Sequence, residues 1–486
     1  MVDGRAGEGE IRRISGLRGR LVAATVAIVA VCTSCGSMLS DQERADLIAA
    51  LSRRGGTAAA GSIGSVDGTG GGGGGLGSGS NAASGGGRTT GGGPAAQGAS
   101  DGGAASCAKA SKATDTGVTP NKITVATLAD ISGIQPGLFE SAHQAARAAT
   151  TYINSQGGIC GRQIELLPLD TKTDAGGNRA AMIDACQRAF AVVGSMSAFD
   201  EGSAAPGREC GIPDMTAITT NRLKYDAPNT FPMFPSSGPA IGLSPAKYIA
   251  EKHPDVIKKA AILWLNQAVT KTNAVARKAA WESIGYRFIY EAEVQVLEAN
   301  YTRFVQDMRD RGVQYVTMVS DYQSLVRLQK SMRQQGYVPK VRDWDSVAYD
   351  PGYLSESNVV EGSTVFINTA MLEEASSIPE MKLYVDWLQR AAPGAVPDYF
   401  GIHAWSAFRL FQKLATQIGP DLTRAKVIAA LKSTAEWGGN GIHAPHRTGT
   451  KIPSTCNVNL VVKGGKFARL SPMSGFDCSG GLYREK

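Results

Sequence analysis

Residues 191–221 read AVVGSMSAFDEGSAAPGRECGIPDMTAITTN. The apolar run 191–193 stops at Gly194, and a turn of small residues follows through Ser195, Met196, Ser197 and Ala198. A helix-like segment then opens with Asp200 and Glu201, and Gly211, Ile212 and Pro213 lead into a second apolar run at Met215. The order strand, turn, helix, strand is the unit of an open α/β sheet. In such a sheet the turn after a strand gathers small polar groups and free helix N–H donors at the carboxyl edge, where ligands bind.

The same alternation extends to both sides. Upstream, residues 123–128 and 163–170 read as strands and 142–154 and 178–190 as helices. After Pro235-Ser-Ser-Gly238 the pattern restarts with helix 245–253, strand 260–265, helix 271–284, strand 288–294, helix 301–311, strand 315–319, helix 322–335 and strand 341–344. Such alternation predicts mostly parallel sheets with helices on both faces. One sheet with that many strands would be unusually wide, so two lobes are expected, with the break near residues 235–238. Beyond it, 360–368 reads as a strand that crosses, and 378–389, 402–418 and 423–434 read as helices without strands of their own. Those helices must pack on sheets built earlier. The string NVNLVVKGGKFARL is a hairpin turning at Gly464-Gly465.

The N-terminal quarter has a different composition. Arg12, Arg13, Arg18 and Arg20 precede an uncharged apolar run over residues 21–31, the layout of a secretory signal and too short for a comfortable membrane span. The run ends in Val31-Cys32-Thr33-Ser34-Cys35-Gly36, which resembles a bacterial lipoprotein signal with Cys35 as the lipidated residue. A plain cleaved signal or a retained anchor are the alternatives. Residues 40–54 form a short helix at most, and 55–106 are mostly Gly, Ser, Ala and Thr, a tether that buries too little apolar surface to offset ordering entropy. This tether explains why the 486 residues contain 59 glycines. The net charge of +7 is thinly spread, with no basic stripe carrying interleaved aromatics, so nucleic acid is not an expected partner.

From about residue 118 to the C-terminus the chain resembles the type 1 periplasmic binding proteins, in particular the Leu/Ile/Val (branched-chain amino acid) substrate-binding proteins of ABC transporters. The resemblance is carried by ITVATLADISG, SAHQAARAATTYIN leading into SQGGICGRQIELLPLDTKTD, VVGSMSAF, ECGIPDMTAITTN and QQGYVPKVRDWDS, in that order. It implies an α/β, two-lobed type 1 periplasmic-binding-protein fold, each lobe a mostly parallel sheet flanked by helices. The expected organisation is a lipoprotein signal at 1–34, an anchor segment and linker at 35–117, lobe 1 at 118–238 plus about 369–450, and lobe 2 at 239–368 plus about 451–486. It further implies a monomeric, lipid-anchored extracytoplasmic protein that closes on a small polar solute, amino acid or amide-like, and hands it to an ABC permease. A ligand-sensing lipoprotein using the same trap is the alternative.

Matched position by position, the resemblance places the carboxylate side of an amino acid clamp on Ser197, Ala198, Thr219 and Thr220, with Ser132, Gly133 and Leu138 on the neighbouring loop. Asp345 falls on the acid of the second lobe and Tyr322 on a pocket aromatic. Ala198 stands where leucine-binding members carry a hydroxyl and Val269 where they carry a tyrosine, which opens the expectation to neutral or cationic solutes. The bland readings are an Asp345–Arg342 surface pair and Tyr322 as a helix cap. His443 and His446 form H-x-x-H in a Gly/Pro-rich loop without a flanking Glu and read as solvated loop residues, not metal ligands. No metal or cofactor is expected. Six further cysteines allow fifteen pairings, and sequential pairing is favoured: Cys107 with Cys160, Cys186 with Cys210, Cys456 with Cys478. Free buried thiols are the alternative. The G-x-S-x-G string at residues 98–102 lies in the Gly-rich tether and not on a strand-to-helix elbow, no H-E-x-x-H is present and no dinucleotide fingerprint follows a strand, so no catalytic residue is expected.

Overall fold

A computed structural model describes residues 107–485; Cys35 and the segment before residue 107 lie outside them. In chain order the elements are β1 (Lys122–Ala129), α1 (Glu140–Ser155), β2 (Gln163–Asp170), α2 (Ala175–Arg188), β3 (Ala191–Val193), α3 (Glu201–Cys210), β4 (Asp214–Met215) and α4 (Arg222–Asp226). There follow β5 (Ala240–Gly242), α5 (Ser244–Lys252), β6 (Ala260–Leu265), α6 (Ala268–Glu282), β7 (Phe288–Val294), α7 (Thr302–Asp310), β8 (Tyr315–Val319), α8 (Tyr322–Gln334) and β9 (Val341–Trp344). The remainder comprises α9 (Pro351–Leu354), α10 (Ser357–Val360), β10 (Thr364–Ile367), α11 (Pro379–Ala391), α12 (Tyr399–Ile418), α13 (Arg424–Ser433), β11 (Val458–Lys463), β12 (Lys466–Ser471) and β13 (Leu482–Arg484).

The strands form a four-stranded sheet in the order β2-β1-β3-β4, a seven-stranded sheet in the order β12-β11-β10-β9-β8-β6-β7, and a small β13-β5 pair. The first sheet is parallel throughout. In the second, β10, β9, β8, β6 and β7 are parallel and the β11–β12 hairpin adds antiparallel strands at one edge. Strands buried on both faces read as continuous apolar runs, and β3 and β8 are buried along their whole lengths. The hairpin turns at Gly464-Gly465, with Lys463 opposite Lys466.

The strandless helices pack where the first sheet left an open face. Alanines 142, 145, 146 and 149 of α1 are fully buried at helical spacing, and their small size lets α11 and α12 approach. Tyr152 of α1 meets Trp387 at 5.5 Å and Trp405 at 5.8 Å between ring centroids. At the turn after β3, Gly194 has φ +70°, and a side chain there would press on Phe408 and Ala404 of α12. Glycine therefore serves both the left-handed backbone and the close approach of that helix.

The chain contains disulfides Cys107–Cys160, Cys186–Cys210 and Cys456–Cys478. Two guanidiniums tie distant backbone together. Arg162, without solvent exposure, donates to the carbonyls of Lys112, Thr119 and Pro420 at 2.8–2.9 Å. Arg424, opening α13, donates to the carbonyls of Cys186, Ala189, Phe190 and Cys210 at 2.6–3.2 Å.

Candidate ligand site

The carboxyl edge of the first sheet is formed by the turns after β1, β2, β3 and β4. Ser197 is buried and Ala198 half-buried, and both turn their donors inward. Ser197 Oγ donates to Asp130 Oδ1 at 2.9 Å and the Ala198 N–H to Asp130 Oδ2 at 2.8 Å. Thr220 Oγ1 donates to the Ser197 carbonyl at 2.9 Å and its N–H to Asp200 Oδ2 at 2.7 Å. Thr219 has no exposure, and its hydroxyl has no partner. Burial pushes the Asp200 carboxyl up to about 7, against the pull of the Thr220 N–H and Lys224. Ser132 is exposed and hydrogen-bonds Asp170 through its hydroxyl and its N–H. Leu138 is half-buried beside Phe139, whose ring meets Phe400 of α12 at 4.9 Å. Asp130 escaped the sequence reading: one acid after a buried strand looks like an ordinary turn residue.

The corresponding edge of the second sheet carries Tyr322 and Asp345. Tyr322 opens α8, half-buried, with its hydroxyl so close to Gly352 that a side chain there would collide with it. Burial, then the nearby Asp350 and Asp321, raise its phenol above the ordinary range. Asp321, not Tyr322, caps the helix by accepting the Ser324 N–H at 2.7 Å. Asp345 pairs with Arg277 of α6, the two side chains 15% and 13% exposed, and accepts the Val347 N–H at 3.2 Å. The alternative pairing of Asp345 with Arg342 is not formed. Arg342 donates instead to Gln329 Oε1 at 2.9 Å and to the Glu361 carbonyl at 2.7 Å. An odd spacing sends the two residues to opposite sides of a strand, whereas buried Asp343, at even spacing, also feels Arg277.

The segments joining the two sheets hold a cluster that corrects the reading of His443 and His446 as solvated. They are 1% and 3% exposed, and His403 of α12 has no exposure. The ring centroids of His403 and His443 are 5.2 Å apart, and those of His443 and His446 5.8 Å. Burial lowers all three, His443 to about 4 and His446 to about 3. The loop contacts Thr369 and Trp437 through backbone bridges, which is what removes it from water. Trp437 Nε1 donates to Ser406 Oγ at 2.8 Å, and Ser406 Oγ lies 2.8 Å from His443 Nε2. Among the described residues no group of three His, Cys, Asp or Glu side chains is placed to hold a metal ion, and no helix is long and apolar enough to cross a membrane.

Contacts also run between elements of the two sheets' neighbourhoods. Tyr349, after β9, donates to Glu373 Oε2 at 2.5 Å and accepts the Leu372 N–H at 2.7 Å. Arg469 of β12 forms an ion pair with Glu374, one of its two bonds 2.8 Å long. Residues 372–377 lead into α11, which packs on α1.

Two mostly parallel sheets flanked by helices, with a chain that passes repeatedly between them, define a two-lobed α/β fold. The chain belongs to the periplasmic binding protein family, whose model matches residues 122–457. That family is one of binding proteins rather than enzymes. No curated protein matches the chain. Among solved structures it is similar to a fatty acid ABC transporter substrate-binding protein from Thermomonospora curvata, at 16% identity and TM-score 0.63, covering 74% of this chain and 94% of that one. It is also similar to the branched-chain amino acid transporter substrate-binding protein LivJ from Streptococcus pneumoniae in complex with isoleucine, at 14% identity and TM-score 0.60, covering 72% and 99%. A solute-binding protein from R. palustris in complex with benzoate matches at 17% identity and TM-score 0.60, covering 74% and 98%.

Proposed function

We propose that the protein is an extracytoplasmic lipoprotein that captures a small solute between two lobes and delivers it to an ABC permease. The feature that supports this reading is the presence of two kinds of edge within one fold: Ser197, Ala198 and Thr220 after strands of the first sheet, Tyr322 and Asp345 after strands of the second. A solute that touches both edges binds the closed arrangement better than the open one, and that difference in affinity is what drives closure. The solutes named for the similar structures, isoleucine, benzoate and fatty acid, support a small organic ligand without choosing among them. In this reading lobe 1 comprises residues 118–238 and about 369–450, lobe 2 comprises 239–368 and about 451–486, and the anchor is a lipid on Cys35.

The test is a thermal-shift screen of the full chain over amino acids, amides, amines, aromatic acids and fatty acids, followed by small-angle scattering with each hit. A true ligand at 100 times its Kd adds about 2.7 kcal/mol of stability and reduces the radius of gyration. A hit that stabilises without compaction argues against a closing trap. Labelled-solute uptake, lost on deleting the gene and on replacing exposed lobe-rim residues while binding persists, separates import from sensing.

A further inference from the structure

The donors of the first-lobe edge converge on an acid of the chain itself. Asp130, which follows β1, has no solvent exposure. Its Oδ1 accepts from Ser197 Oγ at 2.9 Å and from Thr171 Oγ1, and its Oδ2 accepts the Ala198 N–H at 2.8 Å. Two hydroxyls and a backbone N–H at the turns following β2 and β3 form the kind of donor set that holds a bound carboxylate. Here the carboxylate is covalently part of the protein. Thr220 offers no substitute, because its N–H is given to Asp200 and its hydroxyl to the Ser197 carbonyl. On the other lobe Asp345 is paired with Arg277. Both poles on which a zwitterion would be held are closed by partners inside the chain.

We infer that Asp130 determines specificity: it is a built-in carboxylate that refuses solutes with a free carboxylate at this edge, so the cleft takes neutral or cationic solutes and rejects free α-amino acids. The inference rests on the solute-binding role proposed above. A second carboxylate brought to this edge would meet a like charge in a poorly screened site, with the donors of Thr171, Ser197, Ala198 and Thr220 already committed and only the fully buried Thr219 hydroxyl unpaired. A neutral amide or an amine meets no such repulsion.

Two measurements on the full chain judge it. The first compares leucine with leucinamide on the wild type by calorimetry, and the amide is expected to bind at least about tenfold more tightly, a difference of about 1.4 kcal/mol. Leucine binding as tightly as its amide overturns the inference. The second uses formate as a probe of Asp130→Ala, which leaves the donors of Thr171, Ser197 and Ala198 facing a space of carboxylate size. Formate is expected to raise the melting temperature of this variant saturably and to leave the wild type unmoved. An equal response of the two proteins overturns the inference. If Asp130→Ala does not melt cooperatively, Asp130→Ser is read in the same way. A wild type that compacts around free leucine would sink the specificity claim and keep the importer reading. One that compacts around no solute would count against the importer reading, while the formate comparison still decides the role of Asp130.

Discussion

Single side chains decide how this protein answers pH. His443 is placed to donate from Nδ1 to the Ala444 carbonyl at 3.0 Å and to accept from Ser406 at Nε2. That arrangement suits the neutral ring and leaves no acceptor reserved for a second proton. Its folded value, about 4, lies below the ordinary 6.5. The unfolded chain therefore takes up the proton first, and the stability held by the neutral ring is full above pH 6.5 and lost as pH falls toward 4. Replacing His443→Gln should cost more stability at pH 7.5 than at pH 4.5, read as urea midpoints across that range. A gap between wild type and variant that stays constant with pH would refute the assignment. Buried acids elsewhere in the chain add to the raw profile, because Asp343 and Asp398, each raised to about 6, lose their contributions as pH rises through that value. The wild-type-minus-variant difference removes them.

At the level of elements, α2 and α3 flank β3 and are joined by the Cys186–Cys210 bond, which closes a span of 24 residues. Cross-linking that span restricts the unfolded chain, so Cys186→Ala with Cys210→Ala should cost roughly 3 kcal/mol in chemical denaturation under oxidising conditions. The test is internal: adding reductant to the double variant should change nothing attributable to this bond. Most elements here were legible from sequence. β6 and β8 begin and end where their apolar runs do, because a strand covered on both faces leaves few polar positions to blur the edge, while β7, which exposes Glu291 and Glu293, and β9, which carries Arg342 and Asp343, were bounded by the helices on either side. The β5–β13 pair was not legible. Each strand has three residues, and their pairing joins Gly242 to Leu482, a contact made by the folded whole rather than by local pattern. The same applies at the site. Ser197, Thr220, Tyr322 and Asp345 could be placed on sheet edges from their position after strands, but the partners that use up their polar groups, Asp130, Asp200 and Arg277, come from other elements. His443 and His446 misled for that reason too: glycine and proline around them signal a loop, and nothing local reveals that α12 covers it.

For the molecule as a whole, the proposed closure makes the contacts of residues 372–377 a point where the separation of the lobes can be tested. Tyr349 and Arg469 belong to the neighbourhood of the seven-stranded sheet, while Glu373 and Glu374 stand at the entrance to a helix packed on α1. Removing these ties with Tyr349→Phe and Glu374→Gln should raise the unliganded radius of gyration and weaken ligand binding severalfold with little loss of secondary structure. Scattering curves identical to wild type would show that the ties do not govern the separation of the lobes.

The two arginine hubs carry a consequence for how the chain reaches this state. Arg162 needs the Pro420 carbonyl, 258 residues away, and the carbonyls of Cys186 and Cys210 need Arg424, 238 and 214 residues further on. Buried carbonyls without donors are costly, so the part of the protein made first cannot settle until nearly the last part has been made. Contacts across such sequence separations slow folding and leave a long interval in which an emerging chain must be kept from wrong partners. The two-lobed fold thereby makes the nascent protein dependent on its own far end.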